Sequence, residues 1–117
     1  MTENHLINKV NEYADIIEGI EKLEIAEEEL ISKLKAKIRL FDGTVLYVRE
    51  VWINEKIESY SYYWLRPDDT LIIGWDNAPH HRRTRSFPHH KHIENKIESS
   101  HERNLEDVLR FIKTFLG

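Results

Sequence analysis

No cysteine occurs in the 117 residues, which excludes disulfide staples, thiolate zinc sites and cysteine nucleophiles. Glycine and proline are scarce, at four and three copies, so the connections between elements are expected to be short. No apolar run approaches the roughly 18 residues that span a membrane. The N-terminus is acidic where a secretory leader would be basic. A soluble, cytoplasmic protein with no membrane partner is expected. The length fits one domain spanning 1–117, and an apolar fraction of 40% is enough to build a core.

Charge is sparse in one sense and concentrated in another. The net charge is −4, so the broadly basic composition of a general nucleic-acid coat is missing. Residues 1–30 hold nine acids against Lys9 and Lys22, and residues 31–79 balance at seven against seven. The segment HHRRTRSFPHHKH (80–92) carries four cations and no acid. Five of the seven histidines fall inside it, as two His-His pairs each preceded by proline. Histidine changes charge near neutrality, so a cluster of it among arginines points to acid/base chemistry, metal binding or capture of a phosphate.

Periodicity places that segment in a fold. Residues 4–20 put Leu6, Val10, Ala14 and Ile17 at helical spacing, with Gly19 as a terminator. The stretch 21–31 is ambiguous between a short second helix and the lead-in to a strand. From residue 33 the period becomes two, with Leu34, Ala36, Ile38 and Leu40 alternating with Lys33, Lys35, Lys37 and Arg39. Asp42-Gly43 signals a hairpin, and strands follow at about 44–53, 57–65 and 70–75. Residues 90–95 are a candidate fifth strand. Asn104 and Asp107 form a capping signal for a last helix over 105–116. The expectation is a two-layer α+β domain, with a four- to five-stranded antiparallel meander and N- and C-terminal helices packed on one face.

Several runs of residues carry a resemblance. Tyr60-Ser61-Tyr62 with Trp64, the stretch Trp75-Asp76-Asn77-Ala78-Pro79-His80-His81, and Phe87-Pro88-His89-His90-Lys91-His92 resemble the TumE family of small prokaryotic toxin–antitoxin toxins. The hairpin Asp42-Gly43-Thr44 with Leu46, the pair Ser99-Ser100 and the opening Leu105-Glu106-Asp107-Val108-Leu109 fit the same pattern. The likeness covers roughly 34–112. It implies a toxin acting on nucleic acid, RNA ahead of DNA, and a cognate antitoxin protein as partner, with a homodimer also open. Where an acidic or apolar insert is expected between the His pairs, this chain has Arg82-Arg83-Thr84-Arg85. That departure is either an adaptation to a more negative ligand or a neutral change.

Three readings of the segment stay open. The first is a metal-independent ribonuclease. Its candidate acid/base groups are His81, His89, His90, His92 and Asp76, because cleavage at a 2′-hydroxyl needs a base, an acid and positive charge on the phosphorane. Arg82, Arg83, Arg85 and Lys91 are the candidate phosphate contacts, and Tyr60, Tyr62 and Trp64 the candidate surface on which bases stack. On a strand, His90 and His92 share a face and His89 points the other way. The second is nucleic-acid binding, to DNA or RNA, without chemistry. The third is a metal site, since imidazole suits zinc or nickel, although the neighbouring arginines oppose a dication and no resident cofactor is expected.

Overall fold

A computed structural model describes residues 2–79 and 85–116. His80, His81, Arg82 and Arg83 lie outside the described residues. The chain runs α1 (Thr2–Glu12), β1 (Ile17–Glu28), β2 (Ile31–Leu40), β3 (Val45–Ile53), β4 (Lys56–Leu65), β5 (Leu71–Asp76), β6 (His90–Ile93), β7 (Lys96–Ser99) and α2 (Leu105–Leu116). All the strands pair in sequence order, each antiparallel to the next, in one sheet. The α+β class and the two terminal helices are as expected. The strand number is not: the sheet has seven strands, not four or five.

The two additions have separate causes. The helix expected over 4–20 stops at Glu12, and residues 17–28, read as helix and ambiguous lead-in, form β1. Register shifts between Ile17 and Gly19 and between Ile20 and Lys22 interrupt the alternation of β1. Bulges of this kind space apolar residues by three, as at Ile17, Ile20 and Leu23, and so imitate a helical face. The candidate strand over 90–95 is a hairpin, β6–β7, turned by Glu94 and Asn95 at φ 47° and 66°. A two-residue turn with both φ values positive is the type that matches strand twist. Asn54 and Glu55 make the same turn between β3 and β4.

The remaining turns are tied by side chains. Asp42 Oδ1 accepts from the amide (2.9 Å) and hydroxyl (2.6 Å) of Thr44. Asp68 does the same for Thr70, at 3.1 and 2.6 Å. Each is an aspartate bonded to the backbone two residues on, the chemistry that makes this residue a turn former.

Cross-strand partners share a face, so the sheet can be read in rows. Ala36, Val48, Tyr62 and Trp75 form one row, and Ile38, Leu46, Trp64 and Ile73 the next. These residues join Leu6 of α1 and Leu105, Val108, Leu109 and Ile112 of α2 in a single core. Phe111 of α2 meets Trp75 edge-on at 5.2 Å, and His5 of α1 meets Trp52 at 5.1 Å. The helices touch each other where the Tyr13 hydroxyl donates to Glu106 (3.1 Å) and Lys9 pairs with Glu106 (3.3 Å). Both helices therefore cover one face. The alternate rows, Lys35–Arg49–Ser61–Asp76–His90 and Lys37–Tyr47–Tyr63–Gly74–His92, face away from them.

Candidate functional site

Asp76, at the end of β5, is paired with His90 of β6, and Gly74 is paired with His92. Alternation puts Asp76, His90 and His92 on the open face, and the two imidazoles stand 4.8 Å apart, edge to face. The Asp76 carboxylate is 7% exposed and faces four donors. Oδ1 accepts from the Ala78 amide (3.0 Å) and His90 Nε2 (2.8 Å). Oδ2 accepts from the Tyr63 hydroxyl (2.7 Å) and His92 Nε2 (3.0 Å). A carboxylate offers about four lone-pair sites and no hydrogen, so this one is saturated.

That count fixes hydrogens on the rings. His90 Nε2 and His92 Nε2 must both donate. His90 Nδ1 lies 2.9 Å from the Pro88 carbonyl, another pure acceptor. His90 thus lies between Asp76 and the Pro88 carbonyl, and is 2% exposed. The His92 side chain is 23% exposed, against 2% for His90.

The electrostatics agree. Burial alone would raise the Asp76 carboxyl, but hydrogen bonds from Tyr63 and the Ala78 amide, with His90 and His92 beside them, hold it below the usual carboxylate range. Burial, with the Asp76 hydrogen bond and charge adding to it, pushes the Tyr63 hydroxyl far up, so Tyr63 stays a donor.

Tyr63 and Gly74 were not picked out by motif, yet they shape the site. Gly74 is the cross-strand partner of Tyr63, and a Cβ built on it would stand 2.8 Å from Tyr63 Cδ1. The missing side chain lets the tyrosine ring lie across β5 and reach Asp76. Hairpin register was the available signal: the Asp68-Asp69 turn sets Tyr63 opposite Gly74.

The other predicted residues lie elsewhere. His89 points to the helix side, with Nδ1 2.9 Å from the Tyr60 hydroxyl and its ring stacked on that tyrosine at 5.9 Å. The same hydroxyl accepts from the Arg103 amide (3.2 Å). Ser86 donates to the His89 carbonyl and accepts from the Ser100 amide. His89 thus ties the loop before β6 to the segment before α2, and is not part of the Asp76 group. Lys91 is the partner of Trp75 and lies in a core-side row. Arg85 is exposed at the start of the turn before β6. Tyr60, Tyr62 and Trp64 were expected to stack bases, but they face the helices at 3%, 0% and 2% exposure. Their rings pack the core, and the aromatics on the open face are Tyr47 and Tyr63.

The site can hold a proton relay or a metal ion. Asp76, His90 and His92 each offer one donor atom, all within 4.8 Å of one another. That set suits zinc or nickel, and an Nδ1–H donated to a carbonyl, as in His90, is the usual outer partner of a metal-bound imidazole. No helix among the described residues is long and apolar enough to cross a membrane.

Comparison with known proteins adds the family. A family model described as toxin TumE matches residues 5–116, nearly the whole chain and all of the Asp76 group. No curated protein and no solved structure matches. The chain belongs to the TumE toxin family.

Proposed function

We propose that this chain is the toxin of a toxin–antitoxin pair and that it cleaves RNA without a metal ion, using His92 held by Asp76. One observation carries the reading: a partly exposed imidazole, His92, whose Nε2 lies 3.0 Å from the buried Asp76 carboxylate. In that role His92 takes the proton of a 2′-hydroxyl, whose oxygen then attacks the adjacent phosphorus as the bond to the 5′-oxygen breaks, and the departing 5′-oxygen takes its proton from water. Asp76 stabilises the imidazolium that forms, and His90 Nε2, 2.8 Å from Oδ1, holds Asp76 in place. Family membership supports the toxin role and a cognate antitoxin.

The test is incubation of the protein with RNA, single-stranded DNA and duplex DNA in EDTA. RNA is cut to products with 2′,3′-cyclic phosphate ends, and DNA, lacking the 2′-hydroxyl, is left whole. His92→Ala lowers the rate by about 10²–10⁴-fold, the usual worth of a positioned acid/base group. RNA that stays intact in EDTA and is cut only after zinc or nickel is added would overturn the metal-free mechanism and move the chemistry to an ion held by Asp76, His90 and His92. Arg85→Ala tests a phosphate contact from the turn before β6, and an unchanged rate removes that residue from the site.

A further inference from the structure

The open face of the sheet carries more than the Asp76 group. Four of the five outward positions of β2 are Lys33, Lys35, Lys37 and Arg39, the fifth being Ile31, and Arg49 follows on β3. Tyr47 is 38% exposed on the same face, with Tyr63 beside it one strand further on. Read across the strands, the two rows run Lys35–Arg49–Ser61–Asp76 and Lys37–Tyr47–Tyr63–Gly74–His92. Cations, then tyrosines, then the histidine centre follow one another on a surface that no helix covers.

We infer that this face is the track along which a single-stranded RNA lies as it enters the site. The inference rests on the ribonuclease reading above and names where that reaction's substrate binds. Strand spacing puts Arg49 about 10 Å and Lys35 about 14 Å from Asp76. Both are close enough to hold the backbone of nucleotides next to the one being cut. The Tyr47 ring offers a π-face to a base, and Lys37 Nζ sits 5.6 Å from its centroid, holding a cation beside the stack. Tyr63 is committed to Asp76 through its hydroxyl, but its ring spans the last step between the track and His92.

The charges themselves favour a polyanion. Lys35 is the direct cross-strand partner of Arg49, and Lys37 of Lys22. Like charges placed opposite each other destabilise a sheet, and a phosphate backbone lying over them removes the repulsion. Acids are present but do not cancel the patch. Glu21 pairs with Lys37 (3.0 Å) and with Arg39, and Glu24 is the partner of Lys35. Among the described residues, Lys33, Lys35 and Arg49 form no ion pair, in a molecule whose net charge is −4. The track requires single-stranded RNA, because a flat face with isolated rings stacks bases that are already unpaired.

The experiment measures binding apart from cleavage. A labelled RNA oligonucleotide with 2′-O-methyl groups cannot be cut, so its fluorescence anisotropy reports affinity alone. Lys35→Glu with Arg49→Glu raises its Kd about tenfold or more, and Tyr47→Ala raises it by a smaller factor. The charge-matched control Lys96→Glu with Lys113→Glu, on β7 and α2 and away from this face, leaves the Kd near that of the unchanged chain. Cleavage of a dinucleotide, too short to reach the track, stays at the unchanged rate in the Lys35/Arg49 variant and shows that its centre is intact. A Lys35/Arg49 variant that binds and cuts long RNA as well as the unchanged chain overturns the track and leaves the ribonuclease reading standing. A variant that keeps RNA cleavage but loses its antitoxin assigns the face to the protein partner and also overturns it. An unchanged chain that neither binds nor cuts RNA brings down both readings.

Discussion

At the scale of residues, Asp76 decides the behaviour of the site. Its buried carboxylate has the Ala78 amide, the Tyr63 hydroxyl, His90 and His92 within 3.0 Å, and removing its charge leaves these groups uncompensated. Asp76→Asn is expected to cost about 3 kcal/mol of stability at pH 7, read by urea denaturation. The sign of the pH dependence follows from the depressed carboxyl. A group held below its usual 3.8 contributes stability that is fully present above that value and is lost as pH falls through the folded value. The gap between the unchanged chain and Asp76→Asn should therefore shrink as pH falls below 4. A gap that widened on acidification would contradict the charge assignment. Gly74→Ala tests the same group from below. With a Cβ 2.8 Å from the Tyr63 ring, the ring must lift, at a cost of about 1–3 kcal/mol. Tyr63→Phe removes only the hydrogen bond. If Gly74 acts by letting Tyr63 reach Asp76, the double variant costs less than the sum of the two single variants, and full additivity would show the two effects to be separate.

At the scale of elements, α2 was legible because two independent signals agreed. Its apolar spacing matches its buried set of Leu105, Val108, Leu109 and Ile112. Asn104 and Asp107 close a reciprocal cap, with Asp107 N on Asn104 Oδ1 at 2.9 Å and Asn104 N on Asp107 Oδ2 at 3.2 Å. Asn104→Ala should cost about 1 kcal/mol, measured by thermal denaturation, while Asn104→Ser should retain most of it. Strands β2 and β3 were legible from alternation on either side of the Asp42-Gly43 turn, and β4 and β5 from aromatic and apolar runs between turn residues. β1 was hidden because its bulges give apolar residues a helical interval, and β7 because its hairpin turns on Glu94 and Asn95 with no glycine. The site was half legible. Asp76, His90 and His92 stood out by type, whereas which face each aromatic takes depends on parity within a strand. Tyr62 and Tyr63 are neighbours in sequence, yet one is sealed in the core beside Glu50 (2.7 Å) and the other holds the Asp76 carboxylate. A single step along the chain exchanges these environments, and residue type alone does not choose between them.

At the scale of the whole molecule, charge is sorted by surface, not by sum. The acids of residues 1–30 and the histidine segment gave the sequence its apparent polarity. In the fold, the positive surface that matters is the outward side of β2 and β3, drawn from a stretch whose charges balance to zero. A net charge of −4 repels a polyanion at long range, so for the proposed RNA track short-range phosphate contacts must supply the binding. Each contact with single-stranded nucleic acid releases counterions and contributes about −0.7 to the slope of log K against log salt. With Lys33, Lys35 and Arg49 engaged, the slope for an RNA long enough to cross the face should be about −2. Lys35→Glu with Arg49→Glu should leave a slope of about −0.7 or less. Dinucleotide cleavage at His92 should vary little with salt over the same range, since its substrate lies beyond the cations. Cleavage of long and short substrates with the same salt dependence would place the electrostatic contacts at the Asp76 centre itself, and the β2–β3 face would then have no part in holding RNA.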